Sequence, residues 1–183
     1  MVVLLGALLS ESWTSASAGV QAARSSTQAV STGTFAVVPV LPGGTPGTGA
    51  LTLGYPALAP PPMYFDAVNT GTLALTAASY SVVVSGGGIG TPSITLTACV
   101  GAAWNTSFGT CTGTGVAAVT IGTWTPATST PIAITTAPTA VGSRLSIQAS
   151  LTGAIGATTS AVISTIVTSQ SPRQVRTAST TSS

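Results

Sequence analysis

Apolar and polar residues alternate along this chain in short runs that glycine and proline separate. In residues 144–151 the alternation is complete, with an apolar side chain at every second position: Leu145, Ile147, Ala149 and Leu151. Successive side chains of a β-strand point to opposite faces. This run therefore predicts a strand with one buried face and one solvent-exposed face, the latter carrying Arg144, Ser146, Gln148 and Ser150.

Further runs of β-forming composition predict strands at residues 34–40, 50–53, 63–68, 73–84, 94–98, 116–121, 132–134 and 161–167. Within residues 73–84 the apolar positions change from odd to even numbers, which predicts a β-bulge or a break near Ala78. Residues 161–167 are β-branched at almost every position and predict a strand that is buried on both faces. About nine short strands separated by turn signals predict an all-β fold, a single jelly-roll or Greek-key β-sandwich.

The first residues have the features of an export signal. Residues 2–9 form an apolar run of signal-peptide length, far below the ~20 residues that cross a bilayer, although no Lys or Arg precedes it. Ala16 and Ala18 offer an A-x-A cleavage site. We predict a signal peptide or processing region at residues 1–18, a β-sandwich domain with an N-terminal extension at 19–168, and a disordered Ser/Thr-rich tail at 169–183. A buried N-terminal strand or helix is the alternative for the apolar run.

Charge is almost absent from the sequence. Only 3% of the residues are charged, against about 25% in a typical soluble domain. The apolar content of 44% nevertheless predicts a folded domain. The net charge of +2 is too small and too scattered for a nucleic-acid-binding surface, which needs clustered Lys or Arg.

The same composition supplies few side chains that could act in catalysis. Without His and Lys, no Ser-His-Asp triad, Cys-His pair, Ser-Lys dyad or His-based metal site can form. Hydrolysis by paired carboxylates needs two acids at one bond, and Glu11 lies in the predicted processing region, far from Asp66. We therefore predict a protein that is not an enzyme and has no catalytic residue, cofactor or metal.

The two cysteines predict a disulfide. Cys99 and Cys111 flank a segment that contains the turn-forming residues Asn105 and Gly109 and lies between two β-like runs. A hairpin closed by a disulfide is the natural arrangement, and such bonds persist in extracellular compartments. Two buried free thiols are the alternative.

Two tryptophans are candidates for binding a sugar ligand. Trp104 and Trp124 would form a platform for sugar rings if they met on one exposed surface, whereas core packing is the alternative. A glycan or another envelope component is therefore a candidate partner.

Three segments carry a family resemblance: SESWTSAS at residues 10–17, VSTGTFAV at 30–37 and YFDAVNTGTLAL at 64–75. In their order and spacing they resemble the TasA/camelysin family of exported proteins with SipW-type signal peptides. The resemblance implies cleavage close to Ser12 and Trp13 rather than after Ala18. It also implies a jelly-roll subunit of extracellular fibres or biofilm matrix, joined by donor-strand exchange. The metallopeptidase activity attributed to camelysin is not expected here, because the chain has no His.

The third segment contains a strand-turn motif: Phe65, Asp66, Val68, Asn69 and Gly71. Short Asp and Asn side chains bond readily to nearby backbone groups where a strand ends. We therefore interpret Asp66 and Asn69 as structural residues that prepare the turn of the chain at Gly71.

The sequence supports two hypotheses for function. In the first, the secreted chain is a structural subunit at the cell surface or in the extracellular matrix. It has no membrane span when mature and polymerises with itself by β-strand addition. Residues 19–37 would supply the strand and occupy pockets with Val30, Phe35 and Val37, unless they pair within their own sandwich. In the second, the chain is a monomeric cell-surface module for a glycan or envelope component. A capsid-type jelly roll is a further alternative.

Overall fold

The computed structural model describes residues 33–86, 89–128, 130–153 and 156–166. Several predictions lie outside these residues: the cleavage region with Ser12, Trp13, Ala16 and Ala18, the extension with Val30, and the tail at 169–183. The described residues all belong to the predicted β-sandwich domain.

The described residues form nine β-strands and no helix. The strands are β1 (Val37–Val40), β2 (Leu51–Tyr55), β3 (Met63–Asn69), β4 (Ala78–Gly86), β5 (Ser93–Val100), β6 (Ala117–Trp124), β7 (Ile132–Ile134), β8 (Arg144–Thr152) and β9 (Thr159–Ile166). The predicted all-β fold is confirmed. A helix that is long and apolar enough to cross a membrane does not occur in this part of the chain.

The strands form two antiparallel sheets. Sheet A has the order β1-β3-β8-β5-β6, and sheet B has the order β2-β9-β4-β7. Among neighbours within a sheet, only β5 and β6 are consecutive in the chain, so most connections cross from one sheet to the other. The inward side chains of both sheets belong to one hydrophobic cluster, which makes the domain a β-sandwich.

Aromatic residues fill much of this core. The largest fully buried side chains are those of Trp124, Tyr55, Tyr80 and Phe65. The Tyr55 hydroxyl donates a hydrogen bond of 3.0 Å to the carbonyl of Ala149 on the opposite sheet. Burial raises the pKa of the Tyr55 and Tyr80 phenols above their ordinary value, because the charged form would lose its hydration.

The segment between β3 and β4 differs from the prediction. Residues 70–77 are not a strand, although Leu73, Leu75 and Ala77 alternate as strand residues do. The chain turns directly after Asn69, and Leu75 reaches the core from a loop whose backbone bonds to Thr139. The predicted break near Ala78 is confirmed, because β4 begins at this residue after the loop. A bulge occurs in β6 instead, opposite Leu96 and Thr97.

Two predictions about strand faces need correction. The outer face of β8 is only partly open to solvent: the loop that follows β5 covers Ser146, which is 8% exposed, whereas Arg144 is exposed and Gln148 and Ser150 are half-buried. β9 is not buried on both faces: Ala161 and Ile163 lie in the core, whereas Val162 and Ser164 on the outer face are half-buried.

Candidate functional site

A disulfide closes the loop between β5 and β6. Cys99, near the end of β5, is bonded to Cys111, with 5.6 Å between their Cα atoms. Asn105 and Thr110 form an isolated antiparallel bridge inside the loop, so the loop itself is a short hairpin. The predicted disulfide is confirmed. At the tip, the Phe108 side chain is 78% exposed.

Trp104 fixes this loop to the outer face of sheet A. Its indole Nε1 donates to the carbonyl of Thr97 at 3.2 Å, and its backbone N–H donates to the Ser146 hydroxyl at 3.3 Å. The indole ring lies 6.1 Å from the ring of Tyr64, whose hydroxyl accepts a hydrogen bond from Gln148. Three strands of sheet A, β3, β5 and β8, therefore hold the loop.

The predicted sugar platform of two tryptophans is not formed. Trp124 is 1% exposed, belongs to the inner core and donates its Nε1–H to the carbonyl of Thr130. Trp104 lies on the opposite face of sheet A. The reason is the parity of β6, which places Trp124 inward opposite Ile94.

The strand-turn motif builds the end of β3. Phe65 and Val68 are buried, and Asn69 is 1% exposed. The Asn69 Oδ1 accepts a hydrogen bond from the N–H of Gly71 at 3.0 Å. Its Nδ2 donates to the carbonyls of Leu73 and Thr139 at 3.0 and 3.3 Å. One side chain thus connects the turn after β3 to the segment before β8.

Gly71 completes this turn because no side chain fits at its position. A Cβ there would lie 2.4 Å from the carbonyl oxygen of Thr34 and 2.8 Å from the backbone nitrogen of Ala36. These are backbone atoms of the segment that leads into β1. The motif therefore packs the start of the domain against the end of β3.

Asp66 and Arg144 are the only charged residues in the described part of the chain, and they form one ion pair. Arg144 Nη1 lies 3.1 Å from Asp66 Oδ2, and Arg144 Nη2 donates to the carbonyl of Gly44 at 2.7 Å. The N–H of Gly43 also donates to Asp66 Oδ2, at 3.4 Å. The pair therefore anchors the Gly- and Pro-rich loop of residues 41–50 to sheet A.

We expect Arg144→Gln to lower the free energy of unfolding by about 1–2 kcal/mol, because it leaves the carboxylate of Asp66 almost buried with a single weak donor. Chemical denaturation of the variant measures this. The double variant Asp66→Asn/Arg144→Gln is the control and should recover part of the loss. A double-mutant cycle without coupling would contradict the role of the pair.

Two of the predicted assembly residues belong to the chain's own sandwich. Val37 is 7% exposed and pairs with Asn69 in sheet A. Before it, the carbonyl of Ala36 accepts hydrogen bonds from Thr70 and Gly71, and Phe35 packs against the core. The alternative, in which these residues pair within their own sandwich, therefore describes the structure. Val30 lies outside the described residues.

Two surface depressions that the described residues line contain no charged side chain. A groove of about 300 Å³ lies between β1 and the start of β2, under the loop of residues 41–50. A second depression of about 510 Å³ lies at the end of sheet B, where Ser85, Thr158 and Ser160 contribute hydroxyl groups. In the described ranges, no cluster of three His, Cys, Asp or Glu side chains could hold a metal ion.

The outer face of sheet B carries only small or β-branched neutral residues. Strand parity places Val83 of β4, which is 51% exposed, beside Val162 of β9. Around them lie Thr52, Gly54, Ser81, Ser85, Ser160 and Ala133. This face offers hydroxyl and methyl groups but no charge.

Comparison of the chain with protein-family models, with curated proteins and with solved structures finds no match. The resemblance to the TasA/camelysin family therefore rests on the three sequence motifs alone.

Proposed function

We propose that this protein is a structural subunit of an extracellular surface fibre or biofilm matrix, which assembles by β-strand addition. The observation that carries the proposal is the electrostatic neutrality of the folded domain. Its two charged side chains, Asp66 and Arg144, neutralise each other. Packed sandwich domains therefore meet without the like-charge repulsion that ordinarily keeps proteins apart in solution, and the other charged residues of the chain lie outside residues 33–166.

The order of the strands agrees with this proposal. Sheet B has the order β2-β9-β4-β7 and sheet A contains the order β3-β8-β5-β6, and successive strands alternate between the sheets except for the β5–β6 hairpin. We infer a jelly-roll arrangement from this order, with β1 as an additional strand beside β3. A jelly roll is the fold that the family resemblance implies.

The disulfide supports an extracellular location. Such bonds persist in oxidising compartments and are rare in reducing ones, and the Cys99–Cys111 bond joins two neighbouring parts of the sandwich. The apolar run at residues 2–9 provides the matching export signal.

The donated strand comes from the segment before Gly33. Residues 34–37 are occupied within their own sandwich, which leaves residues 19–32 and their pocket residue Val30. An extended chain of that length spans about 46 Å. The five strands of a neighbouring sheet A span only about 20 Å, so the segment is long enough to reach and pair with a second subunit.

Deleting residues 19–31 from the mature chain should abolish assembly without unfolding the domain. Sedimentation velocity and circular dichroism measure size and fold. The matched control is the equally long deletion of residues 171–183, which should assemble as the full chain does. A truncated chain that still forms large assemblies, or a full chain that is monomeric across concentration and salt, would refute strand donation.

The second hypothesis, a monomeric binding module, has lost the platform of Trp104 and Trp124 on which it depended. The hydroxyl-lined depression at the end of sheet B is the one feature that still favours it, because neutral hydroxyl groups suit a carbohydrate. A monomeric mature chain in the sedimentation experiment would support this hypothesis.

A further inference from the structure

We propose that Asn105 is an acceptor site for an N-linked oligosaccharide. The site lies at the tip of the disulfide-closed hairpin between β5 and β6. This modification goes beyond the fibre assembly proposed above, because it requires export of the chain but no contact between subunits.

Asn105, Thr106 and Ser107 form the tripeptide Asn-x-Ser, which accepts N-linked sugars in exported proteins when the middle residue is not proline. The chain has one other asparagine, Asn69, and Gly71 stands where the motif needs Ser or Thr. Asn69 is also buried and makes three hydrogen bonds. Because Ser and Thr are common throughout this chain, the placement of the motif in the fold decides its meaning.

The structure places the motif on an exposed segment. All residues from 105 to 110 are exposed. Trp104 and the Cys99–Cys111 disulfide hold the base of this hairpin to sheet A. The tip is therefore accessible to a transferase while its base stays fixed to the sandwich.

The side chain of Asn105 leaves its amide nitrogen available. Its Oδ1 accepts hydrogen bonds from the N–H groups of Ser107 and Phe108 at 3.1 and 3.3 Å, which is the arrangement of an Asx turn. Within the described ranges, neither the Nδ2 of Asn105 nor the hydroxyl of Ser107 bonds to another residue. The nitrogen that would accept the sugar and the hydroxyl that the motif requires are thus both unoccupied.

The reaction transfers a sugar from a lipid carrier to this nitrogen. The co-reactant is an oligosaccharide whose first sugar carbon, C1, is bonded to the phosphate of a polyprenyl lipid. A bond forms between Asn105 Nδ2 and C1, and the bond from C1 to the phosphate oxygen breaks with its electron pair. Nδ2 loses one proton, and the lipid phosphate leaves. The product is an N-linked glycan, and the transfer involves no oxidation or reduction.

Phe108 provides an observation that is independent of the motif. Among the large apolar side chains that are exposed in the described part of the chain, it is the only aromatic one, and it is 78% exposed. Its backbone N–H donates to both the carbonyl and the Oδ1 of Asn105, so the two residues share one turn. A pyranose ring has an apolar C–H face. A sugar attached to Asn105 can therefore cover the phenyl ring and remove apolar surface from water.

Secretion from cultured cells that perform N-glycosylation tests the site. The chain from residue 19 onward is produced behind a signal peptide of the host, and the peptides that contain residue 105 are mapped by mass spectrometry. We expect an oligosaccharide on most of the secreted molecules. Its release by a peptide-N-glycosidase should convert Asn105 to Asp, which heavy-oxygen water labels.

Substitutions of Ser107 provide a matched pair of controls. Ser107→Ala removes the hydroxyl that the motif requires but keeps Asn105, and it should abolish the modification. Ser107→Thr restores a hydroxyl and should preserve it. Ser107 is exposed and contributes only its backbone N–H to the turn, so both variants should fold. Circular dichroism and an intact disulfide check this.

The outcomes separate this site from fibre assembly. Unmodified Asn105 in the secreted, folded chain would overturn the site, as would sugar on Ser or Thr residues alone. A sugar that stays on Asn105 in the Ser107→Ala variant would also overturn it, because the transfer would not follow the motif. None of these results bears on the deletion of residues 19–31, which tests strand donation.

Discussion

Replacing Asn69 by Ala is expected to lower the free energy of unfolding by about 3 kcal/mol. The change removes three hydrogen bonds of one almost fully buried side chain. The carbonyl of Leu73 loses its Asn69 partner, and the N–H of Gly71 keeps only its longer bond of 3.3 Å to the carbonyl of Ala36. Each buried polar group that loses its partner costs about 1–3 kcal/mol. Chemical denaturation of the full mature chain measures the loss.

Asn105 provides the matched control. Its Oδ1 also accepts hydrogen bonds from the backbone of the following turn, at Ser107 and Phe108, but Asn105 is exposed and water can replace it. Asn105→Ala should therefore cost less than about 1 kcal/mol. Equal effects of the two substitutions would contradict the structural role given to Asn69.

Removing the disulfide is expected to have a comparable effect. The double variant Cys99→Ala/Cys111→Ala should lose about 3 kcal/mol, because the closed loop no longer restricts the unfolded chain. Alanine is chosen because Cys99 is 1% exposed and a hydroxyl at its position would be buried.

The same variant tests what holds the loop on sheet A. Trp104 bonds to Thr97 and Ser146 independently of the disulfide, so the NMR signal of its indole N–H in the folded variant should stay close to that of the unmodified protein. The triple variant Cys99→Ala/Cys111→Ala/Trp104→Ala, by contrast, lacks both attachments of the loop. Its loop signals in an NMR spectrum should therefore shift. A denaturation midpoint unaffected by loss of the disulfide would contradict its stabilising role.

The sequence predicted the elements whose signal is local. The alternation of Leu145, Ile147 and Ala149 identified β8, and the turn residues between Cys99 and Cys111 identified the disulfide hairpin. In both cases the side-chain period or the turn chemistry lies within a dozen residues. The number of strands and the all-β class followed from such signals.

Features that depend on sheet order were not predictable in this way. Residues 73–77 alternate like a strand, but the bonds from Asn69 to Leu73 and Thr139 turn the chain. The ion pair joins Asp66 to Arg144 through the register of β3 and β8, which no local pattern contains.

The covering of the outer face of β8 by Trp104 was missed for the same reason. The alternation of β8 correctly separated core residues from outer ones, but it cannot show that another loop folds over Ser146.

Electron microscopy of the chain without residues 1–18, the predicted signal region, tests the proposed function most directly. The neutral surface of the sandwich and the strand donation proposed for residues 19–32 predict regular fibres, with repeating subunits of the size of one β-sandwich. Separate, monomeric particles at every protein and salt concentration tested would contradict the proposal that this protein is a self-assembling structural subunit.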